Sequence, residues 1–182
     1  MNAFVFLATG FEEIEAMATA DILLRGGVSV TMVSITGDLV VQGAHGLPVV
    51  AEKLFEQVTD FSSADLLVLP GGLPGSDNLQ AHPGLRALLV SHDKQGKRIA
   101  AICAAPRVLG SLGLLKGKSA TCYPGTEPLL TGAIFENAPV VSSGNIITGK
   151  GPGFVFEFAL KLVESLQGKA KAEEVASGLL LH

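Results

Sequence analysis

No apolar run in this 182-residue chain approaches the ~20 residues needed to cross a bilayer, although 48% of its residues are hydrophobic. The opening Phe4-Val5-Phe6-Leu7 lacks the basic flank and small-residue cleavage signal of a secretory leader. A membrane-spanning or exported protein is therefore not expected, and the cytoplasm is the default location. Charge is scarce as well: 13 basic residues are scattered against 17 acidic ones, for a net charge of -4. That leaves no electrostatic footprint for nucleic acid or an anionic membrane surface. The two cysteines, Cys103 and Cys122, are expected as free thiols in a reducing compartment. His45, His82, His92 and His182 show no metal-ligand spacing with one another or with the cysteines, so no metal is expected. No polar linker, low-complexity tract or repeat interrupts the chain, which reads as one domain over residues 1–182.

Apolar runs alternate with helical patterns from end to end. At this length roughly 70% of the unfolded chain's surface can be buried, so a core needs no disulfide or metal. Residues 4–8 read as a buried strand, 13–25 as a helix closed by Gly26-Gly27, and 28–35 as the next strand. Residues 39–50, carrying Gly43, Gly46 and Pro48, read as a short hairpin. A third strand over 65–69 ends at Pro70-Gly71-Gly72. A helix over 83–95, a strand over 98–102 and a helix from at or just after Cys103 to about Leu112 follow. Short strands near Ala120, Val140-Val141 and Ile146-Ile147 precede closing helices over 153–166 and 172–180. The predicted fold class is α/β: a mostly parallel sheet with helices on both faces.

Ligands of such sheets bind outside the carboxyl ends of the strands. Cys103 falls there, where Ile99-Ala-Ala-Ile-Cys-Ala-Ala-Pro runs a strand into a helix start that favours thiolate. A free cysteine is equally at home as a small buried hydrophobe, the reading preferred for Cys122. Glu12, Glu13 and Glu15 crowd the same rim after the first strand. Glu13 is accounted for by the preference of acids for a helix's first turn. Glu12 and Glu15, three apart, share a helix face, and a carboxyl beside a thiol can keep its proton. Gly71 and Gly72 let backbone N–H groups converge on an oxyanion, or simply make a turn. Gly149-Lys-Gly-Pro-Gly reads most simply as a glycine-rich entry to a helix.

Four motifs in register, G-F-E-E-I-E-A, V-L-P-G-G, A-A-I-C-A-A-P and G-P-G-F-V-F-E-F-A-L, give the chain a likeness that spans nearly its whole length. It resembles the ThiJ/PfpI superfamily, and more narrowly the branch of the parkinsonism-associated protein deglycase and its bacterial relatives. The resemblance implies a flavodoxin-like three-layer sandwich, a homodimer, and Cys103 as nucleophile or oxidation-sensitive thiol. It implies Glu15 as the protonated partner, Glu12 as a second acid, the Gly71 and Gly72 amides as oxyanion donors, and Arg25 directed toward the dimer interface and site rim. Ala104 follows the sulfur where the superfamily's peptidases have histidine, so a local Cys-His pair is excluded, and the downstream His-x-Glu of glutamine amidotransferases is missing too. Tyr123 stands where human-like deglycases have a histidine near the thiol, and His45 and Lys150 stand where they have arginines. The implied activity is cofactor-independent: conversion of methylglyoxal to lactate, or removal of early glycation adducts. The alternatives are a stress sensor whose Cys103 is oxidised to sulfinate without turnover, and an adapter or chaperone that uses only the fold. A thiamine-pathway kinase is not expected, because no phosphate loop is present.

Overall fold

In the computed structural model, which describes residues 1–181, the apolar alternation of the first strand decides the layering. In β1 (Asn2–Leu7), Ala3, Val5 and Leu7 pack to one side of the sheet, while Phe4 and Phe6 pack to the other. Side chains of a strand point alternately to its two faces, so a strand buried on both must be apolar throughout. The helix α1 (Glu13–Arg25) follows and ends at Gly26, where a Cβ would lie only 2.8 Å from the Val163 side chain. Then come β2 (Ser29–Ser34), β3 (Val40–Gln42), β4 (Pro48–Val50), β5 (Lys53–Leu54) and β6 (Leu66–Leu69). After them the chain forms α2 (Gly75–Ala81), α3 (Pro83–Lys94), β7 (Arg98–Ile102) and α4 (Pro106–Ser111). It closes with β8 (Ser119–Ala120), β9 (Ile134–Phe135), β10 (Val140–Ser143), β11 (Ile146–Gly149), α5 (Val155–Gln167) and α6 (Lys169–Gly178).

The main sheet runs β10-β11-β7-β6-β1-β2-β5, and every pairing is parallel except β10 with β11. The helix α5 presents Val155, Phe158, Ala159, Leu162, Val163 and Leu166, a stripe of helical period, to the side of the sheet that α1 also covers. Helices α2, α3 and α4 cover the opposite face with Leu79, Leu85, Leu89, Val108 and Leu109. The result is a three-layer α/β sandwich of the flavodoxin-like kind. Among the described residues no helix is long and apolar enough to cross a membrane.

One local expectation is met and two change. The 39–50 hairpin forms as expected, as β3 and β4, and stands outside the main sheet, hung on the β1–α1 corner by Gly10 N–H to Gln42 O at 2.8 Å and Ala44 N–H to Phe11 O at 2.8 Å. The helix α2 is additional to the sequence reading, because Gly75, Ser76 and Asn78 are weak helix formers and conceal it. The helix after Cys103 begins only at Pro106, and the reason lies in the backbone of Cys103 itself.

Candidate active site

Cys103 has φ +64°, a left-handed conformation that costs a non-glycine residue roughly 1–2 kcal/mol. Its neighbours hold it there: Cys103 N–H donates to Gly149 O at 2.9 Å, Tyr123 N–H to Cys103 O at 2.9 Å, and Ala105 N–H to Ile102 O at 3.0 Å. The turn has a consequence for direction. Alternation along β7 puts Ile99 and Ala101 on the α2/α3 face and Ala100 and Ile102 on the α1 face. Residue 103 would return to the α2/α3 face, but the left-handed turn keeps the thiol on the α1 side, where Glu15 stands.

Glu15 projects from the first turn of α1 and is wholly buried. Its Oε2 accepts the Gly71 N–H at 2.7 Å, while Oε1 is buried without a partner. Burial pushes its carboxyl up to about 7. Burial also pushes the Cys103 thiol up to about 12, and the negative charge of Glu15 adds to the displacement. Against both effects, the backbone N–H groups of Gly72 and Ala104 beside the sulfur favour its anion. The expectation that a helix terminus makes Cys103 a free thiolate is thus outweighed: the Glu15 carboxyl and the Cys103 thiol are two acids in one dry site and titrate as a coupled pair. Cys103 is 8% exposed, whereas Cys122 is 1% exposed and packs into the opposite core.

The glycine pair divides its work differently from the expectation. The Gly71 amide is committed to Glu15, so it is not the oxyanion donor expected from sequence; the donors near the sulfur are Gly72 and Ala104. A Cβ on Gly71 would lie 2.6 Å from Cys103 Cβ and 2.7 Å from Glu15 Oε2. Gly72, at φ +89°, passes so close to the β1–α1 corner that a Cβ would lie 2.4 Å from Gly10 O. These contacts press the loop after β6, the corner after β1 and the turn after β7 into one cluster.

Glu12, mostly buried, stands just before α1 without a side-chain bond to the helix and gives its backbone N–H to Gly71 O at 3.0 Å. Glu13 does more than favour the helix terminus. Its Oε1 accepts the His45 N–H at 2.8 Å and its Oε2 meets the His45 ring at 2.9 Å, so one buried carboxylate pins the tip of the β3–β4 hairpin. Gly43 makes room for it, since a Cβ there would sit 2.2 Å from Glu13 Oε1. The hydrogen bond to Glu13 and the charge of Glu12 raise the His45 ring above its ordinary value. Glu12, Glu13 and His45 each offer an atom within 4.8 Å of the others, a set of metal-ligand types that spacing along the chain conceals. His182 lies outside the described residues.

The remaining rim residues are spread out. Tyr123 is half-exposed, with its backbone on Cys103 and its ring against Gly151. Lys150 donates to Asn137 Oδ1 at 2.8 Å. Arg25 is not brought to the site within one chain. It lies at the far end of α1, about 18 Å of helix beyond Glu13, and pairs with Asp21 at 2.7 Å.

A thiol on a strained turn at the carboxyl end of a central parallel strand, backed by a buried carboxyl, defines an α/β sandwich of the cysteine-elbow type. The chain belongs to the DJ-1/PfpI family, whose model matches residues 1–165. It is 42% identical over 182 residues to protein dj-1beta of Drosophila melanogaster, covering 99% of this chain and 97% of the fly protein. It is 38% identical over 174 residues to the glutathione-independent glyoxalase DJR-1.2 of Caenorhabditis elegans, covering 93% and 90%. Oxidised Toxoplasma gondii DJ-1 superposes with a TM-score of 0.95 at 38% identity, covering 99% of this chain and 98% of that one.

Proposed function

We propose that this chain is a cofactor-independent enzyme acting on reactive dicarbonyls through Cys103, as a glyoxalase making lactate from methylglyoxal or as a deglycase acting on early glycation adducts. The observation that carries this reading is the buried Glu15 carboxyl beside the thiol, pushed up to about 7, where it exchanges a proton at neutral pH. The likeness to a relative named as a glutathione-independent glyoxalase supports the reaction class.

As sulfur attacks the aldehyde carbon, the thiol proton passes to Glu15, and the carbonyl electrons move to an oxygen placed near the Gly72 and Ala104 amides. Glu15 protonates that oxygen to complete the hemithioacetal. Now ionised, Glu15 removes the hydrogen from the former aldehyde carbon and returns it to the adjacent carbon, while the proton of the new hydroxyl passes to the neighbouring oxygen, leaving a lactoyl thioester. Water releases lactate and restores the thiol. Each proton taken up is given back, so no cofactor enters the balance. Lactate formation from methylglyoxal by metal-free, thiol-free protein tests this, with Cys103→Ser as the control. Equal rates for wild type and Cys103→Ser would overturn it.

Exposed Ile14, Met17 and Leu24 on α1 and Leu47 and Val50 on the hairpin form an apolar surface. We place the contact of a homodimer there. Light scattering at micromolar concentration is expected to give twice the 18.7 kDa chain mass. A monomer would also remove any route by which Arg25 of a second copy reaches the rim. Oxidation of the same sulfur without turnover is the second reading, favoured by the oxidised form of the T. gondii relative.

A further inference from the structure

Two of the loops that meet at the sulfur continue directly into short helices. The Gly71-Gly72 loop leads into α2, and the Cys103-Ala104 turn leads into α4. The helices touch, and in the first turn of each stands one half of an ion pair: Asp77 Oδ1 on α2 and Arg107 Nη2 on α4. Asp77 is exposed, but the Arg107 side chain is mostly buried and its Nε is buried without a partner. Among the described residues Asp77 is the one acid that Arg107 pairs with. A guanidinium taken this far out of water depends on that acid to offset its desolvation.

We infer that the Arg107–Asp77 pair is a positioning clamp for the Cys103 thiol, holding α2 against α4 so that the Gly72 and Ala104 amides both stay on the sulfur. The inference deepens the reading of Cys103 as a reactive thiol and rests on it. One of the two amides belongs to each loop, five residues before Asp77 and three before Arg107. Packing leaves little slack between the loops, because a single Cβ on Gly71 would strike both Cys103 and Glu15. A small separation of α2 from α4 therefore withdraws one amide from the sulfur before the core is disturbed. Amide bonds to an anion are charge-assisted and steep in distance, which makes thiol reactivity the sensitive readout.

The test is the second-order rate of Cys103 alkylation by iodoacetamide between pH 7 and 10, followed on the Cys103 peptide by mass spectrometry, with thermal melting measured in parallel. Arg107→Met and Asp77→Asn are expected to slow alkylation about tenfold and to move its pH dependence upward, the effect of weakening one charge-assisted bond. Asp77→Asn should be the more damaging, because it leaves a buried guanidinium unpaired. The exchanged pair, Asp77→Arg with Arg107→Asp, should recover to within about threefold of wild type, since either orientation closes an ion pair. Lower melting temperatures with unchanged alkylation rates and pH dependence would overturn the clamp, as would an exchanged pair no more reactive than the single variants. If the wild type forms no lactate while the alkylation series behaves as stated, the proposed activity fails and the clamp stands. If lactate forms but alkylation ignores residues 77 and 107, the reverse holds.

Discussion

Glu15→Gln separates the proton-transfer role of Glu15 from its structural one. The glutamine carbonyl can still accept the Gly71 N–H that Glu15 Oε2 takes at 2.7 Å, and its amide keeps a donor beside the Cys103 thiol. What disappears is a titrating group. Burial displaces the carboxyl from 4.5 to about 7, so the ionised form costs the fold about 3 kcal/mol. Between those values the unfolded chain has released the Glu15 proton and the folded chain still holds it. The stability this group contributes is complete below 4.5 and is lost as pH rises through 7. Glutamine escapes that loss. Glu15→Gln should therefore melt within a degree or two of wild type at pH 4.5, yet gain up to about 3 kcal/mol at pH 8, roughly 6–12 °C for a domain of this size. It should keep an alkylatable Cys103, because the negative charge that raises the thiol is gone. Dicarbonyl turnover should fall about 10²–10⁴-fold, the usual contribution of a positioned acid-base group. Glu15→Leu, by contrast, leaves the Gly71 amide without an acceptor and removes the carboxyl partner of the sulfur, so it should lose stability and keep a high thiol pKa. Differential scanning calorimetry across pH, thiolate absorbance and a lactate assay are the measurements. A melting gain equal at pH 4.5 and pH 8 would refute the displaced carboxyl. Wild-type lactate formation by Glu15→Gln would refute the proton shuttle and direct attention to Glu12.

Gly71→Ala should destabilise by about 1–3 kcal/mol through overpacking and abolish most turnover, since its methyl would lie 2.6 Å from Cys103 Cβ; a melting curve and lactate assay within twofold of wild type would contradict the close-packed cluster. His92, buried with Nε2 unpartnered, is held down to about 4, by burial first and then by the charge of Lys97, against the Arg98 backbone and Asp65, which raise it. Its unfolded form takes up a proton below 6.5, so about 3 kcal/mol of stability present above 6.5 should be lost as pH falls to 4; His92→Gln should flatten that limb of the melting temperature against pH. Limited peroxide should produce sulfinate on Cys103 before Cys122, because only the former reaches the surface beside hydrogen-bond donors; peptide mass spectrometry that finds Cys122 oxidised first would mean the wrong thiol is named.

Much of the fold was written in short-range pattern. The β1–α1–β2 opening, the stop at Pro70-Gly71-Gly72 and the apolar stripe of α5 are legible because alternation and helical period are properties of neighbouring residues. The rim was legible in outline for the same reason: Cys103, Gly71 and the Glu12–Glu15 turn each sit where a strand ends. Propensity misled at α2, where glycine, serine and asparagine are held helical by tertiary packing.

What the residues do to one another was decided only by the folded chain. The Gly71 amide was taken by a carboxyl 56 positions away, and Glu13 became the pin of a hairpin tip 32 positions away. Arg107 and Asp77 gained a partner across two helices, and Arg25 remained at the far end of its own. The sequence by itself determined which elements form and which reactive side chains lie at their ends, because those depend on local period and turn chemistry. The tertiary structure decided which amide meets which acid and how deeply each is buried. A proton's free energy depends on the solvent and charges that the whole fold leaves around it, and no local pattern carries that sum.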